Sequence, residues 1–415
     1  MDNLFEKTVQ SISEIITFNS EKGEPKQGMP FGKGNADCLD YFLSLARSFG
    51  FETVNYDNYA GEVVFGEGVE FAILAHLDVV PAGSGWTHDP FGGEIDRQNG
   101  KIWGRGAMDD KGPAIIILYC LKQLKDEGFK PKKKIRLIVG CNEESGWGCI
   151  KYFTAHSTMP EIGFSPDADF PVIYAEKGIM HLKFTFPEKG DFSTLIGGNA
   201  PNMVCDYCSV SAPVCEKTPK NLNLSKENGL IVARGKSAHG STPENGINAI
   251  EPILKYLGLD SLHEKLFIKK FGLTSLEDET GPLTFSPNVI RGGKNKIEVI
   301  CDIRYPATLT RNAVLGALEG ENYEILSEQS PLFNDKHAEL IQVLCGAYNE
   351  VTGKHMNPIA IGGGTYARAL KCGAAFGPEE EGEENVIHQP NEYITFEKIE
   401  KCLKIYKLAI DRLTK

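Results

Sequence analysis

The chain has 415 residues, more than one compact core usually holds, so two domains are expected. Hydrophobic residues make up 41% and charged residues 24%, the balance of an ordinary soluble globular protein. A formal net charge of −12 argues against nucleic acid as the partner, because no basic stripe is present to meet phosphates, and in an acidic site it favours cations.

Residues 3–17 place Leu4, Val9, Ile12, Ile15 and Ile16 at helical spacing, and residues 36–49 do the same with Cys38, Leu39, Phe42, Leu43 and Ala46. The N-terminal stretch is acidic and amphipathic, without the basic region of a signal peptide. No window approaches the roughly 18 apolar residues that cross a bilayer. FETVNY, GEVVFG and EFAILAHLDVV then read as strands, the last of the continuously apolar, buried kind. A helix follows over about 111–128, a buried strand at KKKIRLIVGCNEE, and a further helix opens at SGWGCIKYF. This alternation predicts an α/β domain with a mostly parallel sheet flanked by helices.

From about residue 180 the texture changes. HLKFTFPEKG, GLIVARGKS and KIEVICDIRYP alternate as strands around one helix at about 245–258, the pattern of an α+β insert. The first texture returns after about residue 330, with helices over 335–351 and 396–413. The expected organisation is one domain, 1–177 plus 331–415, interrupted by another, 178–330. Eleven cysteines, odd in number and scattered through a long chain, fit a reducing cytoplasm better than a disulfide scaffold.

Five segments concentrate metal-ligand residue types. LAHLDVVP carries His76 and Asp78 just past a strand. Residues two apart on an extended chain point the same way, so Asp78 can lie beside His76 and orient its imidazole. The alternative is a strand end with a capping Asp. WGRGAMDDKGP carries Asp109 and Asp110 among glycines that permit tight turns. Asp110 suits a helix N-cap. Asp109 suits metal, since one carboxylate can bridge two cations. VGCNEESGWG sets Glu143 and Glu144 at the end of a buried strand, where ligand and catalytic groups gather in open α/β sheets. Two adjacent acids beside an apolar run are costly without cations. One as ligand and one as general base is the economical division, and a solvated loop is the alternative.

The fourth and fifth segments are FSPDADFP, with Asp167 and Asp169, and NVIHQPNEYI, with His388. The other seven histidines, His88, His156, His181, His239, His263, His337 and His355, carry no such context by themselves. Mixed N/O ligation suits zinc, with manganese or cobalt as alternatives. An open site holding two ions about 3.5–4 Å apart can activate water at neutral pH and polarise a carbonyl. A dinucleotide-binding reading fails, because GKGNAD at 32–37 lacks the glycine register and puts Asp37 where a glycine is needed.

HLDVVP, GRGAMDDKG, NEESG, SPDADFP and HQPNE, in this order, resemble the di-zinc amidohydrolases that include acetylornithine deacetylase, succinyl-diaminopimelate desuccinylase, aminoacylase and the PepV-type dipeptidases. The resemblance covers essentially the whole chain. WTHDPFGGEI, FPVIYAEKG, DIRYP and GGGTYAR point to the PepV-type branch. It implies two divalent ions held by His76, Asp109, Glu144, Asp167 and His388. His76 and Asp167 would serve one ion, Glu144 and His388 the other, and Asp109 would bridge, joined to Asp110 by a cis peptide. It implies Glu143 as general base and Asp78 as the partner of His76.

The insert would be the family's lid domain. There GKSAHGSTP makes His239 an oxyanion stabiliser, and Asn202 of PNMV with Arg304 of DIRYP would hold the free C-terminal carboxylate of a peptide. Gly363 would line the substrate pocket. The alternative for Arg304 is a strand-surface arginine. The implied reaction is hydrolysis of the amide bond of dipeptides or short peptides. An N-acyl-amino-acid deacylase is the alternative, and a non-catalytic binding module is disfavoured by the intact general base. The insert looks shorter than a typical PepV-type lid, and Cys205 stands where proline is usual. The lone CxxC, Cys205 to Cys208, reads as structural. A short lid leaves open that His239 serves a partner chain, but a monomer is favoured over a homodimer, with no nucleic-acid or membrane partner.

Overall fold

The structure is a computed structural model that describes residues 2–187, 191–212, 223–293 and 295–415. Cys215 and the end of the HLKFTFPEKG run lie outside the described residues. The chain forms two compact units. The first comprises 1–174, 334–359 and 365–415, and the second 175–333 with 360–364.

The first unit is built on a mixed sheet in which the strands lie in the order 52–56, 60–65, 133–140, 69–76, 162–165 and 372–375. The last four run parallel, and the first two pair antiparallel. The antiparallel edge has a local cause. Asp57 and Asn58 both adopt positive φ, 50° and 61°, which closes a tight hairpin whose twist matches its strands. Every residue from Phe71 to His76 is buried. Since successive side chains point to opposite faces, both faces of this strand are covered.

Helix Lys111–Asp126 packs against helices Asp2–Ile16 and Phe396–Thr414, and helix Glu339–Thr352 packs on the last of these. Helix Lys33–Ser48 lies on the hairpin strands. Three parallel strands thus end on one side, at His76, Gly140 and Ser165, each followed by one of the acidic motifs.

The second unit is an antiparallel sheet in the order 224–227, 230–234, 207–211, 194–197, 284–293, 296–305, 178–186 and 323–329. Strand Gly178–Phe186 alternates strictly between buried and half-buried positions, so one face meets a core and the other does not. Leu182, Phe184, Val299, Cys301 and Ile303 fill that core together with Ile250, Ile253 and Leu254 of helix Ile250–Tyr256. Cys205 and Cys208 are both buried there as free thiols.

Candidate metal centre

His76 ends its strand with 1% of its surface exposed. Its Nδ1 lies 2.9 Å from the carbonyl oxygen of Asp78. A carbonyl only accepts, so Nδ1 carries the proton and Nε2 is the ring atom left to face Asp109 or a metal ion. The expected arrangement is therefore modified: the hydrogen-bonding partner of the imidazole is the Asp78 carbonyl, and the Asp78 carboxylate stands 3.7 Å from Nδ1. That carboxylate instead accepts the backbone N–H groups of Glu143 (2.9 Å) and Glu144 (3.1 Å). Burial pushes it up to about 6, against the opposing effect of His76.

The peptide Asp109–Asp110 is cis. One oxygen of Asp109 lies 2.9 Å from His76 Nε2, and the other lies 2.9 Å from His388 Nε2. His388 Nε2 is also 3.1 Å from Glu144 Oε1, and His76 Nε2 is 3.7 Å from Asp167 Oδ2. Two clusters therefore share Asp109: one with His76 and Asp167, the other with Glu144 and His388. Ligating atoms of His76, Asp109 and Glu144 all fall within 4.8 Å of one another.

The electrostatics mark the place as cation-hungry. Burial and the neighbouring Asp109 push Asp167 up to about 8. Burial, with Asp167 and Glu144 nearby, raises Glu143 well above the carboxylate range. For Asp109, burial is outweighed by the two histidines, which hold it well below that range. Burial works against protonation of His388, but Asp109 and Glu144 still raise it to about 11. Two imidazoles and several crowded carboxylates, sharing too few protons to satisfy one another, are a donor set that fits divalent ions.

Asp110 sits at the N-cap position of helix Lys111–Asp126 but makes no side-chain cap bond. Its carboxylate accepts the His76 backbone N–H at 3.1 Å, so the capping expectation gives way to a brace beneath His76. Asp169 lies two residues past Asp167, in a short strand paired with Pro378–Glu379. Glu143 is half-buried, and its Oε1 accepts the Trp147 indole N–H at 3.1 Å.

In the second unit, Asn202 and His239 are exposed and adjacent. Met203 bridges His239, and the Gly240 N–H donates to the Asn202 carbonyl at 2.7 Å. The Ser241 backbone N–H donates to His239 Nδ1 at 3.3 Å, so the neutral ring carries its proton on Nε2. Arg304 is not a strand-surface arginine: it is 3% exposed. Asp302 grips it at two points, 2.6 and 2.8 Å, and Nη1 donates to the Gly362 carbonyl at 3.0 Å. Gly363 follows directly, and an added Cβ there would meet Ile361 at 3.5 Å.

Of the histidines without motif context, His88 stacks on Trp103 and pairs with Glu94, while His263 pairs with Glu251. Sequence reasoning missed Arg105, Glu392 and Tyr366. Glu392 and Arg105 are fully buried partners 2.6 Å apart, and Tyr366 packs edge-on to His76 and Trp147. The one available signal was the acid four residues beyond His388, inside a motif otherwise read only for its histidine.

A model of peptidase family M20/M25/M40 matches residues 72–412. The chain is 34% identical over 451 aligned positions to the Beta-Ala-Xaa dipeptidase of Lactobacillus delbrueckii subsp. lactis, covering 98% of this chain and 96% of that protein. In fold it is similar to aminopeptidase PepT from Bacillus cereus (TM-score 0.62, 16% identity, 99% of each chain). It is also similar to the aminoacylhistidine dipeptidase of Vibrio alginolyticus (TM-score 0.60, 14% identity, 98% of this chain and 96% of that one). The family match spans every clustered side chain from His76 to His388, and the protein therefore belongs to the M20/M25/M40 peptidases and is a hydrolase.

Proposed function

We propose that this peptidase cleaves dipeptides or short peptides with a free C-terminal carboxylate, and that two divalent ions, zinc by preference, are held by His76, Asp109, Glu144, Asp167 and His388. The observation that carries this reading is Asp109, whose two oxygens each meet a different histidine at 2.9 Å. When bound, such ions polarise a carbonyl and ease the deprotonation of water.

The protein's own groups supply the rest. Glu143 takes the proton of the attacking water and returns it to the leaving amine. The Trp147 indole N–H fixes its carboxylate for both steps. The first unit is the catalytic domain in this reading, and the second, a lid domain, supplies the substrate's grip. Arg304 and Asn202 take the peptide carboxylate, Gly363 shapes the pocket, and the His239 Nε2–H stabilises the oxyanion. Asp302 holds the Arg304 guanidinium in one orientation before substrate arrives. We further propose a cytoplasmic monomer. Ten described cysteines are free thiols, as a reducing compartment would keep them, and no helix among the described residues is long and apolar enough to cross a membrane.

Metal-stripped protein should regain hydrolysis of a small dipeptide panel on adding zinc, manganese or cobalt, and amidation of the substrate's C-terminus should weaken it. Cleavage of N-acyl amino acids with no turnover of dipeptides would move the enzyme to the deacylase branch.

A further inference from the structure

Glu392 is a wholly buried acid that the catalytic roles above do not use. Its Oε1 accepts three backbone N–H groups, those of Gly106 (3.0 Å), Met108 (2.9 Å) and Asp109 (3.2 Å). Its Oε2 receives the guanidinium of Arg105 at 2.6 Å, and Arg105 is itself 1% exposed. The Gly104 N–H donates to the Glu392 carbonyl at 2.9 Å. The preceding residue extends the same seam, since Asn391 Oδ1 accepts the backbone N–H groups of Thr87 (2.8 Å) and His88 (3.3 Å).

The chemistry of this arrangement is specific. A buried carboxylate is tolerated only when paired and hydrogen-bonded. Here three amides and one guanidinium complete its shell. All three amides belong to the turn that presents Asp109, and Glu392 itself lies four residues beyond His388. One side chain thus joins the two chain segments that must bring the Asp109 carboxylate and the His388 imidazole within 2.9 Å of each other. Gly106, at φ 89°, lets the turn aim its N–H groups inward at a single oxygen.

We propose that Glu392, with Arg105 as its counter-charge, is a positioning residue for the two-metal centre: it sets the backbone at Asp109 so that both carboxylate oxygens are aimed at once. This rests on the metal reading given above, and metal uptake measured without substrate tells the two apart. Outer groups of this kind typically alter metal affinity or activity by about 10- to 100-fold when removed.

The test is calorimetric titration of metal-stripped protein with zinc or manganese, beside dipeptide kinetics and thermal melting. The wild type should take up two ions. Glu392→Gln keeps the shape and an acceptor oxygen but turns an amide NH2 toward Arg105. It should remain folded, bind metal at least about tenfold more weakly, and lose kcat while KM for the dipeptide changes little. Wild-type metal affinity and turnover in folded Glu392→Gln, well below its Tm, would overturn the proposal and leave Glu392 a purely structural residue. If that variant does not fold, Arg105→Gln replaces it, with the same expected weakening and the same overturning result. A wild type that takes up no divalent ion overturns the metal reading and this inference together, and it is seen before any variant is compared.

Discussion

At the scale of single residues, Asp78 divides its labour in a way its neighbour in sequence could not reveal. The period of an extended chain places Asp78 beside His76, and that much is legible from spacing alone. The structure then gives the histidine to the backbone carbonyl and the carboxylate to the amides of Glu143 and Glu144. Which atom faces the ring depends on backbone torsions just past the strand, which residue identity does not encode. The pairing has a consequence for Glu143, whose backbone is tethered independently of its side chain. Truncating that side chain should therefore leave the turn in place. Glu143→Ala is expected to retain metal and fold while losing about 10²- to 10⁴-fold in kcat, measured on a dipeptide with metal content checked in parallel. Retained activity would remove Glu143 from the general-base role.

Gly140 shows the same limit of legibility. An added Cβ there would lie 2.2 Å from the Tyr366 hydroxyl, so the glycine exists to admit a ring more than two hundred positions away in the chain. Gly140→Ala should destabilise by about 1–3 kcal/mol through overpacking, read as a fall in the denaturant midpoint. A midpoint equal to wild type would show that the ring moves aside at no cost.

At the scale of elements, the helices and strands were largely legible, because long apolar periods and continuous apolar runs leave few alternatives. The expected helix over 111–128 is found at Lys111–Asp126, and the expected final helix over 396–413 at Phe396–Thr414. The sheet, expected to be mostly parallel, is mixed. Its antiparallel edge turns on two residues, Asp57 and Asn58, at positive φ.

Across that edge, Arg136 on the strand Lys133–Gly140 reaches Glu62 on one neighbouring strand and Glu70 on the other. Burial pushes the Glu62 carboxyl up, but the Arg136 and Tyr56 hydrogen bonds outweigh it and hold the group below its ordinary value. A depressed folded-state value means that the pair's stabilisation is present above the unfolded carboxylate's pKa, about 4.3, and fades as pH falls through the folded one. Glu62→Gln should thus cost about 1.5–3 kcal/mol at neutral pH, because it removes the charge-assisted hydrogen bonds between Glu62 and Arg136 and leaves the guanidinium with Glu70 as its one carboxylate partner among the described residues. The deficit should shrink below about pH 4. Denaturant melts of both proteins across pH give the difference, and a deficit independent of pH would assign it to packing instead.

At the scale of the whole molecule, the two units raise different questions about stability. The acidic cluster of the first unit holds several carboxylates whose mutual repulsion opposes folding. An ion that binds only the folded state stabilises by about 2.7 kcal/mol at a hundredfold excess over its Kd. Chelation should accordingly lower the Tm of the first unit by several degrees and leave the second, which carries none of the clustered ligand groups, unchanged. A single transition insensitive to chelator would contradict that view of the cluster.

Taken alone, the sequence singled out the residues to which the proposed chemistry is assigned. His76, Asp109, Glu143, Glu144, Asp167 and His388 stand in short motifs, those of His76, Glu143, Glu144 and Asp167 at or just past strand ends, and the residue types themselves state what they can ligate or deprotonate. Tertiary structure alone decided how those groups are held. Glu392, Arg105 and Tyr366 make contacts that join distant stretches of chain, and a buried acid reads in sequence like any other acid. The physical reason is that ligand chemistry belongs to a side chain, whereas orientation belongs to the partners that surround it, and only folding chooses those partners.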